Sequence, residues 1–207
     1  MADTRHDPET GEEHSELGPM DVRVRAIESI LVDKGYVEPA ALDEIVEAYE
    51  TRIGPHLGAQ AVARAWTDPG FDARLAADAT SALAELGIGG RQSEHVVAVH
   101  NTADVHNLVV CTLCSCYPWA VLGIPPAWYK SSAYRSRAVL EPRSVLAEFG
   151  TELPPETNVR VWDSTAEVRY LVVPRRPSGT DGWDADRLAA LVSRDSMVGV
   201  READAPA

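Results

Sequence analysis

The sequence predicts an α+β protein, and three observations carry that expectation. Between residues 19 and 87 apolar side chains recur at helical spacing. From His95 onward the pattern changes to short runs rich in β-branched residues. Between the two lies Gly87-Ile88-Gly89-Gly90, a break that separates one periodicity from the other. This break is not a phosphate loop, since it lacks the Lys-Ser/Thr of a P-loop and the G-x-G-x-x-G spacing. The organisation read from the chain is an acidic leader at 1–18 expected to be disordered, a helical arm at 19–87 expected to contact a partner subunit, and an α+β domain at 88–207.

The elements follow in order. Val22, Val24, Ile27, Ile30 and Leu31 predict a helix over 21–34, stopped at Gly35. Pro39 opens a second, with Leu42, Ile45, Val46 and Tyr49 as its stripe and Gly54 as its end. A shorter helix is expected over 59–66, and one continuous helix from about Phe71 to Leu86. These stripes are narrow and need another surface, expected to belong to a second chain. Strands are expected at His95–His100 and Val105–Val110. Pro126 opens a short helix with Trp128, Tyr129 and Lys130, and a further helix runs from about Pro142 to Phe149, closed by Gly150. Residues 159–162 and 168–173 read as a hairpin-like pair around Asp163-Ser164-Thr165, and a last helix is expected over 185–193.

Composition bounds the function. The 207 residues are 45% hydrophobic and 25% charged, ordinary for a globular chain. The net charge of −13 argues against nucleic acid and anionic membranes as partners. No apolar run is long enough to span a bilayer and no secretory signal opens the chain, so a cytoplasmic protein is expected. His6 and His14 in the leader read as parts of a solvated tail.

All the cysteines stand in one heptapeptide, Cys111-Thr112-Leu113-Cys114-Ser115-Cys116-Tyr117, placed where the second strand ends. Strand ends commonly carry functional loops. An odd count of three disfavours a disulfide framework. A thioredoxin-type pair would use C-x-x-C at a helix start, and an iron–sulfur cluster would need a fourth thiolate. A structural zinc site, in a non-enzymatic interaction protein, would have to recruit His106 as its fourth ligand. The remaining reading is a mononuclear claw. Cys114 and Cys116 would grip one ion from a short backbone link, with the peptide nitrogens of Ser115 and Cys116 within reach and Cys111 capping the far side.

Val109 through Trp119, with Leu122-Gly123-Ile124-Pro125-Pro126 and Trp128-Tyr129-Lys130, resembles the α subunit of nitrile hydratase. The similarity extends over about residues 20–200, through Asn101-Thr102, Tyr134-Arg135-Ser136-Arg137, Arg160-Val161-Trp162-Asp163-Ser164 and Arg194-Asp195-Ser196-Met197. The resemblance implies a layered α/β/β/α-type domain with the metal loop at a strand end. It implies hydration of nitriles to amides, with Cys111, Cys114, Ser115 and Cys116 as metal ligands and Cys114, Ser115 and Cys116 as the catalytic set. The cysteines matching Cys114 and Cys116 are a sulfinate and a sulfenate in the family. Thr112 and Tyr117 mark the cobalt type over the iron type, implying one low-spin Co(III) per α subunit. Gln92 and Trp119 are implied to line the substrate pocket; Lys130 and Arg169 are candidate charges supporting the site or an interface, with solvated positions as the alternative for each. The implied partners are a β subunit, in a heterodimer or its doubled form, and a cobalt-delivering activator protein. The metal-bearing subunit of thiocyanate hydrolase shares this claw and is the alternative within the resemblance. One departure stands out: His100 precedes Asn101-Thr102 where the family usually has glutamate, which puts a second-sphere carboxylate in doubt.

Overall fold

The computed structural model describes residues 19–89 and 95–206. Prolines open many of its helices, as a residue with fixed φ and no N–H suits a first turn. Contacts divide the chain into two units, 1–47 and 48–207. In the first, α1 (Pro19–Asp33) ends at Gly35, whose φ of +68° allows its own N–H to bond Val32 O while Tyr36 N–H bonds Leu31 O. The second helix, α2 (Pro39–Glu47), buries none of its residues. Val22, Val24, Ile27 and Ile30 of α1 and Ile45 and Val46 of α2 are all more than half exposed. No described helix is long and apolar enough to cross a membrane.

The larger unit begins with a π-helical turn at Ala48–Arg52, followed by α3 (Pro55–Thr67), α4 (Pro69–Ala77) and α5 (Ala79–Glu85). A single helix over 71–86 is therefore not what forms. Asp78 takes an extended conformation, and its carboxylate accepts from Ser81 N–H, so the carboxylate caps α5 where a continuous helix would have run on. Asp68 caps α4 in the same way, accepting from Gly70 and Phe71. Both carboxyl groups are thereby held below the ordinary carboxylate range, Asp68 chiefly by Phe71 N–H and Asp78 chiefly by the Ser81 side chain.

Four strands follow among the described residues: β1 (Val96–His100), β2 (Val105–Val110), β3 (Asn158–Asp163) and β4 (Arg169–Val173). The last two do not form a hairpin. β1 pairs with β4 and β2 with β3, both parallel. Parallel partners need a crossover, and the β2–β3 crossover is the helical stretch α6 (Trp119–Leu122), α7 (Ala127–Lys130), α8 (Ser132–Leu140) and α9 (Pro142–Glu148). Leu108, Val109, Val110, Leu171 and Val172 are all buried, the run of burial expected of strands covered on both faces. Helix α8 was not read from the sequence, and the expected last helix is two short ones, α10 (Ala185–Ala189) and α11 (Arg194–Val198). The mixture of helices around small parallel sheets is the expected α+β architecture.

An aromatic group under the crossover sets its height over β2. Trp128 meets Tyr134 and Phe149 edge-on at 4.9 and 4.8 Å, and Tyr129 meets Tyr117 at 5.1 Å. Two of the buried phenols pair their hydroxyls with main chain: Tyr134 donates to Val109 O at 2.6 Å and Tyr129 to Cys116 O at 2.9 Å. On the other side α11 closes against β2. Gly199 has φ +88°, and a Cβ there would stand 1.9 Å from Asn107 O. Its carbonyl accepts from His106 Nε2 at 2.7 Å.

Gly199→Ala therefore meets both a left-handed backbone and a collision with β2. It should cost roughly 3 kcal/mol in urea unfolding, against under about 0.5 kcal/mol for Gly89→Ala, which has open space. His106 makes a second prediction. Burial holds its pKa below the ordinary value, outweighing the Gly199 hydrogen bond and the charge of Glu202. The unfolded chain thus takes up this proton first as pH falls. Stability is full above the ordinary histidine range near pH 6.5 and declines as pH drops through the lower folded value. A His106→Gln variant should show a shallower decline below about pH 6.5 in unfolding midpoints measured against pH.

Candidate metal centre

The cysteine loop spans 111–118, between the carboxyl end of β2 and the first turn of α6. It also lies at the carboxyl end of β3, because the parallel register sets Val110 beside Asp163. That pairing supplies the main anchor. Asp163 accepts from Thr112 N–H at 2.9 Å through one oxygen and from Thr112 Oγ1 at 2.6 Å through the other. Ser164 N–H then bonds Val110 O at 2.7 Å, closing the strand end. Tyr129 holds the loop's exit through Cys116 O, and Arg135 Nη1 holds its middle through Leu113 O at 3.0 Å.

Within this frame the three sulfurs converge. Cys114 Sγ stands 3.6 Å from Cys111 Sγ and 3.4 Å from Cys116 Sγ, and all three lie within 4.8 Å of one another. Two donors each about 2.3 Å from one ion stand about 3.3 Å apart at a right angle and about 3.8 Å apart at the tetrahedral angle. Both observed separations fall between these limits, so the trio fits a single transition-metal ion. Cys114 N–H bonds Cys111 Sγ at 3.3 Å, and the peptide N–H groups of Ser115 and Cys116 are directed at the Cys114 sulfur. The donor set around the cluster is thus three soft sulfurs with the Ser115 and Cys116 peptide nitrogens beside them. Among the described residues no histidine or carboxylate joins it. His106, the fourth ligand that a zinc site would need, is engaged with Gly199 O instead.

Burial grades the three. Cys111 is 1% exposed, Cys116 half-buried and Cys114 open to solvent. The Cys114 thiol is held below its ordinary value, first by the Cys116 side chain and then by Ser115 N–H. Burial, followed by the neighbouring Cys114 sulfur, pushes Cys116 up to about 12. Cys114 therefore gives up its proton more easily than Cys116, which would ionise in a buried place beside an anion. None of the leading influences on these two thiols is a cationic side chain.

Other expected site residues are placed as follows. Ser115 is half-buried inside the loop, and Trp119 is half-buried at the start of α6, edge-on to Tyr49 at 5.7 Å. Gln92 lies outside the described residues. Lys130 is exposed and Arg169 is buried on β4. His100 ends β1, with Nε2 2.8 Å from Asp72 of α4 and its carbonyl accepting from Asn107. From Asn107 to Cys111 is four residues of strand, about 13 Å, so His100 occupies the opposite end of β2 from the sulfurs. Asp163, Tyr129 and Arg135 fell within the family-like segments, but no local pattern in the sequence pointed to their hold on the loop. Two polar atoms here are buried without a partner among the described residues, Tyr117 OH and Arg135 Nε. Each such group costs about 1–3 kcal/mol.

The sequence profile of the family described as "Nitrile hydratase, alpha chain" matches residues 18–201. The low-molecular weight cobalt-containing nitrile hydratase subunit alpha of Rhodococcus rhodochrous is 54% identical over 197 residues, 95% of each chain. The thiocyanate hydrolase subunit gamma of Thiobacillus thioparus is 38% identical over 196 residues, covering 89% of this chain and 80% of its own. A solved structure of a double mutant of the Fe-type nitrile hydratase from Comamonas testosteroni Ni1 superposes with a TM-score of 0.86 at 39% identity, covering 90% of this chain and 91% of that one.

Removing the strand-end anchor should loosen the loop without unfolding the sheet. Its two exposed, charge-assisted bonds are together worth about 1.5 kcal/mol after solvent screening, roughly a factor of ten. In the metal-free Asp163→Ala chain, timed iodoacetamide labelling should reach the buried Cys111 about tenfold faster, with Cys114 labelling unchanged. Labelling of Cys111 at the wild-type rate would show that the carboxylate does not hold the loop.

Proposed function

The chain belongs to the nitrile hydratase α-chain family, and from that premise we propose that it is the metal-bearing α subunit of a cobalt nitrile hydratase, converting nitriles to amides by addition of water. The observation that carries the reading is the trio of sulfurs within 4.8 Å, which repel one another when ionised and fit one ion. The ligands are the sulfurs of Cys111, Cys114 and Cys116 and the peptide nitrogens of Ser115 and Cys116, and the ion is one Co(III) per chain. When bound, the ion supplies Lewis acidity that makes a nitrile carbon electrophilic.

The chain's own residues supply the rest. Asp163, Arg135 and Tyr129 hold the loop so that its sulfurs share one centre. The gradient of burial supports oxidation of the two accessible sulfurs, Cys114 to a sulfinate and Cys116 to a sulfenate, while buried Cys111 stays a thiolate. A sulfenate oxygen on Cys116 is a base and nucleophile where the hydroxyl must reach the nitrile carbon. Trp119 and Gln92 flank the substrate. Two oxidised, anionic sulfurs require cations that are not among the leading influences on these thiols, which supports a β subunit as partner, in a heterodimer or its doubled form. Leu113, 84% exposed in the loop, and the open apolar faces of α1 and α2 support the same partner. A dedicated activator protein delivers the cobalt, and the complex works in the cytoplasm.

Metal analysis and mass spectrometry of the assembled complex test this together with turnover. One cobalt per chain, two added oxygens on Cys114, one on Cys116 and amide from a nitrile are expected. Cys111→Ala, Cys114→Ala and Cys116→Ala should each lower bound cobalt and rate by roughly 100-fold. Turnover of thiocyanate with no amide from any nitrile would move the chain to the thiocyanate hydrolase branch. Stoichiometric zinc on unmodified thiols would sink the enzymatic reading.

A further inference from the structure

The peptide between Leu113 and Cys114 is held at both ends. Its N–H points to Cys111 Sγ at 3.3 Å, and its carbonyl points the other way, to Arg135 Nη1 at 3.0 Å. A planar trans peptide sends these two groups in opposite directions, so fixing one aims the other. Arg135 is well placed to fix it. It follows Tyr134, which is buried and bonded to Val109 O at 2.6 Å, two residues before Cys111. Helix α8 is thereby tied to the strand that leads into the loop.

Other tethers do not serve this peptide. Asp163 holds Thr112 and Tyr129 holds Cys116, while the Leu113 side chain points into solvent. Arg135 also keeps its contact at a cost to itself, because its Nε is buried without a partner among the described residues. A guanidinium in solvent would satisfy all five donors, so this rotamer is not set by the needs of Arg135 alone. Its contact with the loop is to the Leu113 carbonyl, and Arg135 is not among the leading influences on the Cys114 and Cys116 thiols.

We propose that Arg135 is a positioning residue of the cysteine loop, setting the Leu113–Cys114 peptide and through it the approach of Cys114 to the Cys111 sulfur. The consequence for cobalt rests on the function proposed above; the consequence for the loop does not. Amide hydrogen exchange on the metal-free full-length chain reads the loop directly, and cobalt release to a chelator from the assembled complex reads the site. Arg135→Gln should speed exchange at the Cys114 amide about tenfold, leaving β2 and α8 protected, and should speed cobalt release by roughly tenfold. Arg135→Lys, which keeps a cationic donor but not the rigid fork, should fall between Gln and wild type in both. Exchange at Cys114 within twofold of wild type in Arg135→Gln overturns the proposal. So does an equal rise throughout β2 and α8, which would mark a general loss of structure. If exchange responds as expected but the wild-type complex takes up no cobalt, the function fails and the positioning role stands.

Discussion

The parallel register of β2 on β3 is the constraint on which the site depends. It sets Val110 beside Asp163 and so delivers a carboxylate to the first residue after Cys111. A slip of one residue would turn every side chain of β3 to the other face and leave Thr112 without its acceptor. The register is in turn secured by burial on both faces. Leu108, Val109 and Val110 face a core completed by the crossover helices on one side and by α11 on the other. Gly199 is the residue that lets α11 approach closely enough, and no side chain fits between it and Asn107 O. Packing far from the sulfurs thus fixes their loop.

Much of this was legible from residue types. Three cysteines in six positions announced a site, and the valine run into Cys111 announced that a strand ended there. Periodicity also separated the helical third from the strands. The pairing of strands was not legible. Residues 159–162 and 168–173 are separated by a short turn, which locally resembles a hairpin, but turn length says nothing of which strand lies across the core. Asp78 was similarly silent, because an aspartate within an apolar period reads as solvated until its carboxylate is seen on Ser81 N–H. The helical third also divides after Glu47, so that α3 to α5 belong with the strands while α1 and α2 form their own unit. The buried alanines of α3 mark that difference, against the exposed apolar side chains of α1 and α2. Asp163 and Arg135 escaped notice because their role comes from register and from a peptide plane, neither of which has a local signature.

Electrostatics divides the work between this chain and others. A net charge of −13 gives the chain no surplus of cations, and several of its arginines are committed elsewhere. Arg137 bonds Glu141 and Glu148, Arg74 bonds Glu85, and Arg143 spans the carbonyls of Leu153, Pro154, Pro155 and Thr157. Arg135 touches the loop through a carbonyl, not through a sulfur. The chain therefore contributes shape to its cysteine cluster and little compensating charge. Three sulfurs so close together are stable as thiols or around a cation, and poorly stable as bare thiolates.

The departure at His100 can be weighed on the same grounds. A histidine in place of glutamate near a metal would change both charge and proton traffic. Here the substituted side chain lies at the far end of β2, about 13 Å of strand from Cys111, and its imidazole bonds Asp72 of α4. A glutamate in that place would set one carboxylate against another, whereas the imidazole ties α4 to the end of β1. The pair is part-exposed and contributes little to stability by itself. Asn107 accepts a bond from Trp162 on β3 and donates to the His100 carbonyl. That contact is made by the main chain of residue 100 and is indifferent to its side chain. In this structure the side chain of His100 thus serves the docking of α4 at the end of β1, while its main-chain carbonyl accepts from Asn107.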